Sequence, residues 1–341
     1  MSTSGTYVYT VPYATITQLA MKTIGKLGGT ELPTPQETSD VGVFTNMLCR
    51  QWMGRQDFSP GLKMWTRYRG DLLLSLSKGI YTLSPTGDNW ATGVAISVNP
   101  DQPNLNQTTV TQSANQNATL LYVSPAAAAA FSANDFVVVQ LSTGDIQSTS
   151  CSVGNPISGA INIANPLTAA VNSGAQIWNF TTKGQPPLSL ETVILRDSFQ
   201  NDTPVDPMTL QEYEQLPTKA QQNIYVSDPG AFYYEPQLQS TGLRSGTLYL
   251  DVAGCYDVTK QLHIVGLRPL QTMVNPLDSL DMPEEWSLAV TLGTAKLIAP
   301  MFNAQWTKEM DDNMNTAIAI AKETTPETTA IYFQCHAEDQ I

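Results

Sequence analysis

Apolar residues recur every three to four positions at both ends of this chain and alternate in short runs between them, which predicts helices flanking a strand-rich middle. In "YATITQLAMKTIGKLGG" the repeat runs through Tyr13, Ile16, Ala20, Ile24 and Leu27, with Gly28 and Gly29 as the stop. In "TPQETSDVGVFTNMLCRQWMG", Thr34 is placed to cap a helix, Pro35 takes its first position and Glu37 completes a capping box. Val41, Phe44, Leu48 and Trp52 then form one face, and Gly54 closes the helix, so the chain opens with a helical hairpin. Near the other end, "DMPEEWSLAVTLGTAKLIAPMF" predicts a helix with Pro283, Glu284 and Glu285 in its first turn. Its apolar face is Trp286, Ala289, Val290, Gly293 and Leu297, with Gly293 marking a close helix crossing. "AQWTKEMDDNMNTAIAIAKE" supplies a last helix with an acidic middle.

Between these ends the period falls to two. "MWTRYRG", "LLLSLS" and "IYTLSP" read as strands, as do "LSLETVILRD", "AFYYEP", "GTLYLDVAG" and "KQLHIVGLRPL", the last two as a pair. "DPMTLQEYEQL" reads as a short helix begun near Asp206 and Pro207. Residues 91–182 hold no Lys, Arg or Glu, and Asp101, Asp135 and Asp145 are their only charges. With β-branched runs such as "FVVVQLS", "AINIA" and "AQIWNF", this stretch reads as an ordered β module and not a solvated linker. "AAAAA" at 126–130 is a helical turn or loop within it.

Composition narrows the chemistry. A formal charge of −13 argues against a surface that neutralises nucleic-acid phosphates, although an acidic wall suits DNA passing by without being held. Cys49, Cys151, Cys255 and Cys335 are scattered, so neither a disulfide framework nor a zinc site is signalled, and free thiols are expected. No leader-like start and no membrane-length apolar run is seen, which predicts a soluble protein made in the cytosol. The chain has two histidines: His263 lies in an alternating strand, and His336 follows Cys335, where neighbouring side chains on extended backbone point apart and cannot form a nucleophile and base. Glu212 with Glu214, Glu284 with Glu285, and Asp311 with Asp312 are the acid pairs a glycosidase would need, but helix first turns and solvated helix faces are normally acidic. Trp52, Trp65, Trp286 and Trp306 read as core. No catalytic residue, metal ligand or cofactor site is assigned.

After the last helix the chain reads "ETTPETTAIYFQCHAEDQI", a helix-breaking Thr-Pro followed by apolar and aromatic residues closing in acid. Frayed termini are usually polar. Two readings stay open: a peptide that docks on a partner through Ile331, Tyr332, Phe333, Gln334, Cys335 and His336, or a last strand folded back on its own sheet.

The order of these elements resembles the head-to-tail adaptor family of short-tailed phages, the tail accessory factors. "FTNMLCRQWMG" (44–54) resembles the end of that family's N-terminal helices, "YTLSPTGD" (81–88) its strand end, and "PEEWSLAVTLGTAKLIAP" (283–300) its C-terminal helix. Two departures stand out: Ser84-Pro85 replaces a glycine-rich turn, and residues 91–186 are an insertion that compact members lack. The resemblance implies an α+β fold in which N- and C-terminal helices form a bundle with a small β domain. The discontinuous adaptor core would be 1–90 with 187–323, the inserted mainly-β module 91–186, and the docking tail 324–341. It further implies a non-enzymatic virion protein without cofactor. About twelve copies would form a ring under the portal protein, joining it to the tail tube or nozzle, with double-stranded DNA passing through the lumen and no membrane involved. Two other functions remain as alternatives: a virion-associated peptidoglycan hydrolase, and a carbohydrate- or receptor-binding module in the insertion using surface aromatics such as Tyr122 or Trp178.

Overall fold

The computed structural model describes residues 10–54, 65–76, 78–99, 102–152, 154–217, 227–238 and 244–323. The fold is mixed α and β. It divides into two compact units, one within Met1–Thr66 and Pro269–Ile341 and the other Arg67–Arg268, so the charge-poor segment lies inside the second.

The first unit is helical, with α1 (Tyr13–Thr23), α2 (Pro35–Gly54), α3 (Trp286–Ile298) and α4 (Lys308–Glu323). α1 stops four residues earlier than its apolar repeat predicts, because Gly25 adopts φ +72°. The Gly25 N–H then donates to Lys22 O at 3.0 Å and the Lys26 N–H to Met21 O at 3.0 Å, a Schellman closure that satisfies the helix's last carbonyls. α2 begins where its capping box predicts. The Glu37 N–H donates to Thr34 Oγ1 at 3.2 Å, and the Thr34 N–H donates back to Glu37 Oε2 at 2.9 Å. The Thr34 N–H and the Thr34 hydroxyl, which also donates to Glu37 Oε2 at 2.9 Å, hold the Glu37 carboxyl below the ordinary carboxylate range. The stabilisation is therefore present above the unfolded carboxylate pKa and is lost as pH falls through the lowered one. Thr34→Ala is expected to cost about 1 kcal/mol, read as a lower urea midpoint at unchanged slope.

Trp286, Ala289 and Val290 of α3 meet Ile16, Leu48 and Trp52 of the first two helices and Ala317 and Ile318 of α4. Gly293 marks the crossing its position predicts: a Cβ there would lie 2.7 Å from Leu48 Cδ2 and 2.9 Å from Trp52 Cζ2. Two details differ from expectation. α3 begins at Trp286, with Glu284 and Glu285 in the preceding turn, where the Trp286 N–H donates to Pro283 O at 3.1 Å. Leu297 is 38% exposed, while Thr294, Ala295 and Ile298 are buried, because α3 is enclosed on more than one side.

The second unit opens with β1 (Arg67–Leu73), β2 (Ile80–Leu83) and β3 (Trp90–Gly93). The charge-poor stretch adds β4 (Asn106–Thr109), β5 (Leu120–Tyr122), β6 (Phe136–Gln140), β7 (Ile146–Ser150), β8 (Ala160–Asn162) and β9 (Gln176–Phe180). Then follow β10 (Thr182–Lys183), β11 (Ser189–Arg196), β12 (Asp202–Pro204), β13 (Asp206–Pro207), β14 (Ala231–Leu238), β15 (Arg244–Leu250) and β16 (Gln261–Leu267). A six-stranded sheet in the order β10-β3-β1-β16-β11-β12 faces a four-stranded sheet β13-β14-β15-β2. Alternate residues of the first (Leu72, Trp90, Val193, Leu262, Ile264) interdigitate with those of the second (Tyr81, Leu83, Phe232, Leu248, Leu250). On the opposite face of the six-stranded sheet, Leu73 and Ala91 pack with Leu105, Val138, Trp178 and Phe180 of the charge-poor stretch. That stretch builds its own sheets, β4-β9-β6-β7 and β5-β8, around a core containing Leu121, Phe131, Val137 and Ile177.

Two sequence expectations are corrected here. β15 and β16 do not pair: β15 lies between β14 and β2, while β16 lies between β1 and β11 in the other sheet. Residues 251–260 carry the chain across the sandwich, a change of layer that alternation within a strand does not encode. The short helix begins at Leu210, not near Asp206, because Thr209 and Glu212 form a reciprocal capping box and Asp206–Pro207 is drawn into a parallel pairing with Ala231 and Phe232. "AAAAA" does contain a single helical turn, Pro125–Ala128, capped by Ser124.

Candidate docking surface

A groove of about 640 Å³ runs along the helical unit between α1, α2 and residues 273–276. None of its lining residues carries a charge, although the chain as a whole is strongly acidic. Val43 and Met47 stand four residues apart on α2 and so share its outer face. They are 52% and 59% exposed, and Leu32, Val274 and Leu277 nearby in the same unit are 74%, 76% and 83% exposed. Isolated exposed apolar residues are ordinary, but several around one uncharged groove mark an interaction surface.

The far wall of the groove is held by several bonds: the Tyr13 N–H donates to Asp278 O at 2.8 Å and the Ala14 N–H to Pro276 O at 3.0 Å. Asn46 Nδ2 donates to Met273 O at 3.0 Å, and the Met273 N–H donates to Asn46 Oδ1 at 3.1 Å, so a helix side chain pairs with the backbone as a neighbouring strand would. Arg50 adds a bond to Thr272 Oγ1 at 2.7 Å, and Asp278 accepts from the N–H groups of Val274 and Asn275 at 2.8 and 2.7 Å. The surface is therefore built before any partner arrives. Sequence reasoning missed Asn46 and this groove. Asn46 lies 227 residues from its partner, so no local spacing pointed to it.

Neither the family models nor the curated proteins contain a match to this chain. Functional assignment therefore rests on the chemistry of the chain itself. The docking residues named from the sequence, Ile331 to His336, lie outside the described residues.

One acid in each of two candidate pairs, and several other polar groups, are occupied by structural work. Glu212 closes the capping box with Thr209, with its pKa held down by those bonds. Asp311 bonds Lys296 at 2.5 Å and accepts from Trp306 Nε1 at 3.1 Å. In the charge-poor stretch, buried Asp135 accepts from the Ser132 N–H, Asn179 Nδ2 and Thr181 Oγ1, and Asp145 accepts from Ser75 Oγ and the Leu76 N–H, tying this stretch to the end of β1. Asp71 in β1 is buried between His263 Nδ1 at 2.7 Å and Asn104 Nδ2 at 2.9 Å, which identifies His263 as a satisfied strand residue. Trp178 is fully buried and Tyr122 half-buried, so Trp178 presents no face to a sugar. Trp65 is 41% exposed and departs from the core reading that holds for Trp52 and Trp286. Burial pushes the thiols of Cys49 and Cys151 up to about 12 and that of Cys255 up to about 11, which keeps all three protonated and inert. Among the described residues, no group of three or more His, Cys, Asp or Glu is placed to hold a metal ion, and no helix is long and apolar enough to cross a membrane.

Proposed function

We propose that this protein is a structural head-to-tail adaptor of a phage virion. Helices from the two ends of the chain form its helical bundle, the strands around β1 and β16 its small β domain, and residues 91–186 an inserted β module. About twelve copies form a ring beneath the portal protein and receive the tail tube or nozzle on the other side, with DNA passing through the lumen. The protein is made in the host cytoplasm, works without a cofactor and catalyses no reaction.

The observation that carries this reading is the uncharged, apolar-rimmed groove on the helical unit of an acidic chain. It offers no cation to a phosphate backbone, so its partner is a protein. We assign that partner as the next copy in the ring. Two chains each bearing a charge of −13 repel, and a charge-free contact is where they can meet at least electrostatic cost. A ring also multiplies modest contacts, because each copy uses two different patches and closure links them.

The test is the mass of the purified protein alone and mixed with the portal from the same virion, for the full chain and for residues 1–323. The full chain is expected to be monomeric alone and to assemble as a ring on the portal, and the truncated chain to keep its fold and lose the portal. A full chain that ignores the portal, or a truncated one that still assembles normally, overturns the assignment.

A further inference from the structure

A closed ring needs two different patches on each chain, and the uncharged groove is one of them. The hairpin that joins β11 to β12 supplies a counterpart. At its tip Phe199 is 83% exposed, more than any other aromatic side chain among the described residues. A lone exposed apolar residue is ordinary, but the backbone beneath this one is built to hold it outward. Asp197 Oδ1 accepts from the N–H groups of Phe199 and Asn201, each at 2.8 Å, and its Oδ2 accepts from Asn201 Nδ2 at 2.9 Å. The Gln200 N–H donates to Asp197 O and the Asp197 N–H to Asn201 O, both at 3.1 Å, and Gln200 takes the left-handed φ of +67° that closes the turn. Below the turn Arg196 holds Asp202 across the two strands through bonds of 2.7 and 2.8 Å. We propose that Phe199 of one copy enters the groove between α1, α2 and residues 273–276 of the next, which makes the β11–β12 tip the second patch of the contact. The pairing rests on the reading above that the groove joins copies of this chain.

Charge is the first feature that selects this occupant. Ser198, Phe199, Gln200 and Asn201 carry none, and the charges on either side are engaged, Asp197 by three donors of the tip and Arg196 by Asp202. Nothing ionic therefore has to leave water when the tip enters a groove whose lining is itself uncharged. The second feature is apolar fit. Leu32, Pro33, Val43, Val274 and Pro276 offer the groove's apolar walls, and its volume of about 640 Å³ leaves room for an aromatic ring, a side chain that buries about 150–250 Å². The third is rigidity: the bonds under the tip have already ordered it, so little further entropy is lost on contact. The fourth is topology. The tip belongs to the β unit and the groove to the helical unit, which makes them distinct patches, and one contact between them repeats from copy to copy around a ring. Phe199 is exposed in the single chain, so it does not fill the groove of its own chain. A lipid surface fits the tip poorly, because Arg196 is taken by Asp202 and a chain of charge −13 is repelled by anionic headgroups.

Photocross-linking of the full chain tests the pairing. Phe199→p-benzoylphenylalanine keeps an aromatic ring at the tip, and Ile157→p-benzoylphenylalanine, at a loop position 88% exposed in the charge-poor stretch, is the control. Each protein is irradiated at high concentration, alone to capture transient encounters and again on the portal. The tip variant is expected to give covalent dimers at least about tenfold more often than the control, attached near Val43 or within Met273–Pro276. An acceptor copy carrying Val43→Asp and Val274→Asp should lower that yield at least about tenfold. Adducts within one chain, attachment outside the groove, or a yield equal to the control in both conditions overturn the proposal. So does attachment to phosphatidylglycerol vesicles in preference to a second copy. In a second measurement, Phe199→Ser is expected to keep the wild-type urea midpoint, since the side chain is exposed, and to form no ring on the portal; rings of normal size likewise overturn the proposal. The cross-link formed without the portal judges the tip and its groove, while portal binding by the unaltered full chain judges the adaptor reading, so the two failures are distinguishable.

Discussion

The double variant Val43→Asp, Val274→Asp is expected to fold normally and fail to form rings on the portal. Both side chains are more than half exposed, so their replacement removes little buried area, and surface changes of this kind stay within about 0.5 kcal/mol. Val and Asp have similar intrinsic helix propensities, so the change inside α2 adds little further cost. At an assembled interface the balance reverses. Each carboxylate would be stripped of water against an uncharged lining that offers it no cation, and an uncompensated buried charge costs about 3–5 kcal/mol. Even at a third of that, each contact weakens about tenfold, and a ring in which every copy repeats the defect does not close. The measurement is sedimentation of the variant with portal, beside a control carrying the same added charge on the exposed face of α4, Asn313→Asp with Thr316→Asp. Rings of normal size from the double variant would show that the groove is not the contact between copies.

What could be read from the sequence was local. The start of α2 was legible because Thr34 and Glu37 satisfy each other three residues apart, and the geometry repeats that arrangement. The close crossing at Gly293 was legible because a glycine stood on an otherwise apolar helix face. The end of α1 was not, since Gly25 stops the helix through its own left-handed backbone while the apolar repeat runs on to Leu27. Strand existence was legible from alternation, yet the partners of β15 and β16 were not. Alternation fixes which face is buried and leaves open which sheet a strand joins. The groove was hidden for a stronger reason. Its walls come from Tyr13 to Gln18, from Leu32 to Asn46 and from Met273 to Pro276, and they are joined by long-range bonds, of Asn46 with the Met273 backbone and of the Ala14 N–H with Pro276 O. No local pattern marks a surface made by such a long-range bond.

Trp286→Ala is expected to remove about 3–5 kcal/mol from the helical unit. The indole is fully buried and sits 6.1 Å from the ring of Trp52 at a tilt of 56°. Around it stand Val11, Ile16, Leu48, Ala317 and Ala321, elements from both ends of the chain. Long side chains such as Ile16, Leu48, Met314 and Ile318 share this core and can fill part of the space, while the alanines and Gly293 cannot. The penalty within that range depends on how far they collapse, because cavity cost grows with the volume that relaxation leaves unfilled. Typical whole-domain stabilities are about 5–15 kcal/mol, so the helical unit would be left marginal. The β unit has separate cores, built on Leu72 and Ile264 and on Val137 and Ile177, that Trp286 does not join. Urea unfolding followed by helical ellipticity should therefore show an early transition lost from the helices alone. Near-ultraviolet signals from Trp90 and Trp178, which are buried in the β unit, should keep the wild-type midpoint. If all signals moved together, the two units would unfold as one and the helical core would be sustaining the whole chain. A shift under about 1 kcal/mol would mean that Trp286 is not the keystone of the helical core.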